Sequence, residues 1–222
     1  MRAAAQRAGR NPERAGLVVV TKYASPEDIR AVIDSGLAAE VGESRVQTAE
    51  AKKLALGDQA GRVRWRLIGH LQTNKARKAC EVFDAVDSLD SLRVAEALER
   101  ALAGTDRRLE VLVQVKLAQR ESQSGVAPDG LEEILRGLEA FPHLQARGLM
   151  AIAPQGAGPE DSRPQFRRMR ELFDRFFAGR AEAQLSMGMS GDYEVAVEEG
   201  ATLVRVGSSV FRDSPLNTEG TA

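Results

Sequence analysis

Along this chain, short apolar runs rich in β-branched residues alternate with longer stretches in which apolar residues recur every three or four positions. The runs fit strands buried on both faces, and the spaced stretches fit helices that cover them. The clearest strands are predicted at Leu17–Lys22, Trp65–Gly69, Val82–Val86, Val111–Leu117, Ala146–Ile152 and Thr202–Val206, with weaker ones at Ala38–Gly42 and Gln184–Met189. Ile29, Val32, Ile33 and Leu37 mark one helix face; Phe166, Met169, Phe173, Phe176 and Phe177 mark another. Ser25-Pro26-Glu27-Asp28 supplies an N-cap, a proline at the first helical position and early acidic residues, and Gly36 closes that helix.

Eight βα units in 222 residues predict an α/β fold, a single-domain (β/α)8 barrel of TIM type with functional residues where the strands end. The barrel is expected over residues 1–212, and 213–222, which lack an apolar period, are expected to be a disordered tail. Gln119–Pro128 and Pro154–Pro164 read as mobile loops after strands. An open doubly wound sheet is the alternative. It lacks support, because no Gly-x-Gly-x-x-Gly follows the first strand and Gly156-Ala157-Gly158 has Asp161 where a third glycine would fall.

Charge and cysteine content remove several function classes. Thirty-one Lys and Arg against 32 Asp and Glu leave a net charge of -1, so nothing pulls the whole chain toward nucleic acid or an anionic membrane. No apolar run approaches the roughly 18 residues of a membrane span, and the first ten residues lack the apolar centre of a secretory signal. A soluble, cytoplasmic protein is expected. Cys80 is alone and His70 and His143 are far apart in sequence, so neither a disulfide scaffold nor a metal site is expected. No long exposed apolar stripe remains once the helices are assigned, which predicts a monomer.

The candidate chemistry gathers at the first and last strands. Lys22 follows Leu17-Val18-Val19-Val20-Thr21, an apolar approach that would desolvate its ammonium and favour an amine able to attack an aldehyde; a lysine snorkelling to solvent is the plainer reading. Val204-Arg205-Val206 turns Arg205 to the face opposite its neighbours, and if that face is the barrel interior its charge must meet an acceptor. Gly207-Ser208-Ser209 offers backbone amides and a hydroxyl where strand eight ends, a frequent phosphate position in barrels, although an ordinary glycine turn reads the same way. Ser190 either caps the following helix or bonds a phosphate. His70 has no carboxylate near it in sequence to orient it, and His143 is expected on the opposite rim as a structural residue. A strand-one lysine, a strand-eight arginine and a phosphate-ready loop together suit a phosphorylated aldehyde.

These residues, with Val41-Gly42-Glu43-Ser44-Arg45, Ile68 to Lys75, Arg147 to Pro154, Leu185 to Glu194 and Glu198 to Phe211, closely resemble the pyridoxal phosphate homeostasis proteins, single-domain barrels related to the N-terminal domain of alanine racemases. The resemblance runs from Gly9 to about Arg212. It implies pyridoxal 5'-phosphate held as a reversible Schiff base on Lys22, with Arg205 at the pyridine nitrogen and Ser190, Gly207 and Ser208 on the phosphate. It also places Ser44, His70, Met150 and Gly191 at the cofactor. Ser44 and Arg45 depart from the family's usual Asn-Tyr, and the serine loses an amide contact there.

The same resemblance implies a carrier rather than an enzyme, acting in vitamin B6 and amino-acid balance, with pyridoxal-phosphate-dependent apo-enzymes as possible recipients. Arginine beside the ring nitrogen weakens the ring as an electron sink, and the related racemases add a β-domain after the barrel, for which about ten residues remain after Arg212. A pyridoxal-phosphate-dependent racemase or decarboxylase is the main competing function. A Schiff-base aldolase acting on a sugar phosphate, and a protein without any ligand, are the others.

Overall fold

The computed structural model describes residues 1–117, 124–154 and 158–211. Eight parallel strands close in sequence order into a barrel: β1 (Gly16–Val20), β2 (Glu40–Glu43), β3 (Arg64–Leu67), β4 (Ala85–Leu89), β5 (Leu109–Gln114), β6 (Leu144–Met150), β7 (Gln184–Ser186) and β8 (Leu203–Val206). Closure comes from β8 lying against β1, with Arg205 opposite Val18. The helices are α1 (Arg2–Arg7), α2 (Pro26–Ser35), α3 (Val46–Leu56), α4 (Ala76–Val82), α5 (Leu92–Leu102), α6 (Leu131–Leu138), α7 (Arg163–Phe177) and α8 (Tyr193–Glu198). The expected barrel, rather than the doubly wound sheet, is the fold.

Local chemistry accounts for the elements. Ser25 and Asp28 form a reciprocal capping box at the start of α2, Pro26 opens it, and Gly36 ends it at φ 64°. Ile29, Val32 and Ile33 are buried on its inner face, but Leu37, beyond the glycine, is exposed rather than part of that face. Phe166, Met169, Phe173 and Phe177 bury the inner stripe of α7.

Strand boundaries shift for physical reasons. Strands β1, β5 and β6 end at Val20, Gln114 and Met150, short of the expected Lys22, Leu117 and Ile152, although the next residue of each still donates its N–H to the neighbouring strand. Apolarity outlasts the strands because the residues that follow stay buried, including Val115 and Ala151. The fourth strand lies at Ala85–Leu89, not Val82–Val86: Val82 closes α4, and the Asp84 carboxylate instead accepts the Trp65 N–H at 2.8 Å. Polar Asp87 and Ser88 disguise this strand, although both are buried. The expected tail falls wholly outside the described residues, and the two expected mobile loops fall partly outside them.

Candidate functional site

A cavity of about 750 Å³ opens where the strands end, lined among others by Lys22, Ser44, Ser190, Gly191, Arg205, Gly207 and Ser208. Its size falls within the roughly 300–1,000 Å³ of small-molecule sites. Residues from the first and last strands therefore meet with those from the β2 and β7 exits. His70 and Met150 do not line it.

Lys22 sits in a turn beyond β1, and its side chain is exposed, with Nζ 4.8 Å from the Tyr23 ring centroid. The burial anticipated from the apolar strand is absent, because that strand ends at Val20 and Lys22 projects past it. The peptide just before it is nonetheless held firmly. Buried Thr21 donates through Oγ1 to Glu43 Oε1 at 2.9 Å, and Lys52 Nζ donates to the same carboxylate oxygen at 2.6 Å and to the Thr21 carbonyl at 2.5 Å. Glu43 Oε2 also accepts the Ser44 N–H at 3.2 Å. One carboxylate, itself 1% exposed, thus ties β1, β2 and α3 together at the root of the Lys22 turn. Such charge-assisted bonds in a dry setting are among the stronger local constraints.

Arg205 forms part of the cavity lining while being only 3% exposed. Its Nη1 donates to Ser186 Oγ at 2.7 Å and its Nη2 to the Ala151 carbonyl at 2.8 Å. The acceptors that the sequence pattern demanded are neutral ones. Burial pushes its pKa down to about 10, with Asp87 and Asp192 opposing that shift and Arg66 adding to it. The group remains cationic at neutral pH while lacking a carboxylate of its own among the described residues.

The β7 and β8 exits face each other. Ser190 Oγ accepts the Gly207 N–H at 3.3 Å, so Ser190 bridges the two loops and does not cap α8, whose N-cap is Asp192. Asp192 instead orders the loop by accepting from Met189 N–H at 2.7 Å and Ser162 Oγ at 3.0 Å. Among the described residues the backbone N–H groups of Ser190, Gly191 and Ser208 find no protein acceptor. Gly207 lets the β8 exit pack directly on β1, since a Cβ there would lie 2.9 Å from the Val20 carbonyl oxygen. Uncommitted amides beside serine hydroxyls form a donor set for a phosphate. With an amine on one wall and a guanidinium at the base, the donor set fits pyridoxal phosphate.

His70 has the carboxylate partner that its sequence neighbourhood lacks: Nδ1 lies 3.0 Å from Asp90 Oδ2, supplied from beyond the adjacent β4. Gly69 before it packs so tightly on Ser44 that a Cβ would come within 2.2 Å of the Ser44 carbonyl oxygen. His70 is exposed at the end of the β3 exit and Met150 is buried at the end of β6, and neither is part of the cavity lining. His143 pairs with Glu99 at 2.6 Å just ahead of β6, on the opposite rim as expected. Cys80 is buried, and burial raises its pKa to about 11, which leaves an inert thiol. No group of three or more metal-ligating side chains occurs among the described residues.

Sequence reasoning missed Tyr23, Asp192 and the Glu43–Lys52 pair as parts of the site. A glutamate at the end of an apolar strand was the available signal for Glu43, because a buried carboxylate requires a partner.

Residues 1–215 match the alanine racemase N-terminal domain. The chain is 39% identical over 210 residues to a pyridoxal phosphate homeostasis protein of Aquifex aeolicus, covering 94% of this chain and 91% of that one. PipY of Synechococcus elongatus PCC7942, solved with pyridoxal phosphate bound, superposes with a TM-score of 0.81 at 37% identity, covering 95% of this chain and 98% of that one. An unknown protein from Bifidobacterium adolescentis gives a TM-score of 0.86 at 32% identity, covering 94% of this chain and 89% of that one. With its closed barrel and near-complete overlap with these relatives, the chain belongs to the pyridoxal phosphate homeostasis protein family, whose barrel is the N-terminal domain of alanine racemases.

Proposed function

We propose that this protein binds pyridoxal 5'-phosphate in the 750 Å³ cavity and serves to hold and release it, without turnover of its own, in the vitamin B6 and amino-acid balance of the cytoplasm. The observation that carries this reading is the buried Arg205, left with two neutral acceptors at the base of a cavity whose rim bears an amine and unpaired amides. The names of the relatives, and the bound cofactor in PipY, support the same ligand.

When bound, the cofactor supplies an aldehyde that condenses reversibly with a primary amine. Lys22 Nζ would hold that carbon covalently, and its exposed position leaves it open to exchange with dissolved amines. Ser190, Gly191, Gly207 and Ser208 would take the phosphate, and Ser44 would line the ring side. Arg205, cationic at neutral pH, would donate to the pyridine nitrogen and disfavour its protonation, which weakens carbanion chemistry. His70, exposed and paired with Asp90, and the buried Met150 would act on the cofactor only indirectly, since neither lines the cavity. A monomer that hands the cofactor to apo-enzymes completes the reading.

One observation favours the racemase or decarboxylase alternative: Tyr23, in the cavity lining and next to the Lys22 amine, is placed to be a second acid–base group. Borohydride reduction of the protein mixed with pyridoxal phosphate, followed by peptide mapping, tests the binding reading. Label is expected on Lys22 and is lost in Lys22→Ala; label elsewhere, or none, rejects it. Loaded protein incubated with single amino acids is expected to show no sustained racemisation and no carbon dioxide release; turnover that Tyr23→Phe abolishes would establish the alternative.

A further inference from the structure

At the opposite pole, where β1, β7 and β8 begin, a second cavity of about 640 Å³ is lined by four arginines, Arg10, Arg14, Arg170 and Arg180, against one carboxylate, Asp174. This excess of positive charge is local, because the chain as a whole carries -1. The carboxylates in the surrounding sequence are engaged by other arginines. Glu198 is held by Arg7 and Arg163, Glu199 by Arg163, and Glu182 by Arg147.

The lining arginines keep much of their donor capacity. Asp174 occupies Nε and Nη2 of Arg170 at 2.8 and 2.5 Å, and the Gly200 carbonyl accepts from its Nη1 at 3.4 Å, so the spare donors are those of Arg10, Arg14 and Arg180. Arg10 commits Nε to the Glu198 carbonyl at 2.7 Å, and Arg14 reaches the Ala181 carbonyl through Nη2 at 3.4 Å. The Arg180 guanidinium has no hydrogen-bond acceptor among the described residues and lies 5.3 Å from the Phe177 ring centroid. Phe173 and Phe177 stack with centroids 5.6 Å apart, and Arg170 lies 5.5 Å from the Phe173 ring centroid. Stacking steadies a guanidinium while leaving the N–H groups in its plane available.

Gly200 brings two of these charges together. A Cβ at this position, where φ is +97°, would be 3.0 Å from Arg10 Cζ and Nη1 and equally close to Arg170 Nη1. Two guanidinium groups that converge on one backbone position repel, and a multivalent anion between them would reverse the sign of that interaction. Arginine's planar fork of donors suits a phosphate in particular.

We propose that this cavity binds a small phosphate-type oxyanion with two or more negative charges, at a site separate from the one at the barrel mouth. The shared chemistry covers free inorganic diphosphate and the phosphate tail of a larger metabolite. Calorimetric titration of the full chain with pyrophosphate, with potassium chloride at matched ionic strength as the control and ADP as a second ligand, tests it. Saturable pyrophosphate binding that chloride does not reproduce is expected, and Arg10→Gln and Arg180→Gln should each weaken it at least about tenfold, the scale of one lost charged hydrogen bond. Tighter binding of ADP identifies the larger-metabolite source; equal or weaker binding identifies the free anion. Ser190→Ala, at the other pole, should leave this binding in place. The Arg180 guanidinium makes no protein hydrogen bond among the described residues, so Arg180→Gln remains informative if Arg10→Gln unfolds. Binding that chloride matches, that Arg180→Gln leaves unchanged, or that Ser190→Ala removes overturns the proposal.

Discussion

Two guanidinium groups lie inside the same barrel with different company. Arg66, on β3, is fully buried and bonds the Asp87 carboxylate through Nε at 2.9 and 3.0 Å, Glu40 through Nη1, and Gln184 through Nη2 at 2.8 Å. Burial works against its charge, but Asp87 and Glu40 outweigh it, and the pKa stands above the ordinary arginine value. Arg205, on β8, meets a hydroxyl and a carbonyl, and burial wins. A buried charge given its own carboxylates ties β2, β3, β4 and β7 together across the interior. One denied them, at the base of a cavity, has binding capacity left over.

Substitution of each arginine sharpens that contrast. Arg66→Met strands two carboxylates in the interior and should cost about 3–5 kcal/mol in denaturant unfolding. Arg205→Met, without ligand, should stay within about 1 kcal/mol of the parent chain, because it removes an uncompensated charge along with two hydrogen bonds. It should also shift the absorption band of bound pyridoxal phosphate and shorten its retention. Equal stability losses in the two variants would erase the distinction.

A smaller effect is expected at the root of the Lys22 turn. Glu43→Gln keeps the shape but weakens the hold of Lys52 and Thr21, and should cost about 1–3 kcal/mol. If that clamp orients the amine, borohydride labelling of Lys22 in still-folded protein slows as well. Unchanged labelling would confine Glu43 to stability.

The smallest effect is on the outer surface, where Arg7 joins α1 to Glu194 and Glu198 on α8 at 2.7 and 3.0 Å. Hydrogen bonds from Arg7 hold the Glu194 carboxyl below its usual range, and those from Arg163 and then Arg7 do the same for Glu198. Groups with depressed folded pKa values contribute above their unfolded values and lose that contribution as pH falls. Hydrogen-exchange protection at Ala5 and Ala8, taken relative to the intrinsic rate at each pH, should therefore fall before the barrel melts, as pH drops below about 4.3. Simultaneous loss of both would show that α1 and the barrel unfold as one unit.

The barrel was legible mainly through β1 and β5, whose apolar runs are buried on both sides, and through the spacing of the weaker β2 and β7, in which Val41 and Leu185 are the buried apolar residues between polar neighbours. It was least legible at β4, where Asp87 looks like a break in sequence and is in fact the partner of Arg66, on the neighbouring strand. The positions of Lys22, Arg205, Gly207 and Ser208 at strand ends could be anticipated from strand order alone. The partners of His70 and Glu43 could not. Asp90 lies beyond the neighbouring strand and Lys52 on the outer helix α3, and such pairings exist only once the sheet has closed.

Lys22 springs from a turn outside the hydrogen-bonded ladder, and this has a kinetic consequence. On the proposed reading, loading and unloading of a ligand on that nitrogen would need no strand to part, so exchange of the vitamer would track the concentration and basicity of amines in the surrounding fluid and remain indifferent to how rigid the barrel is.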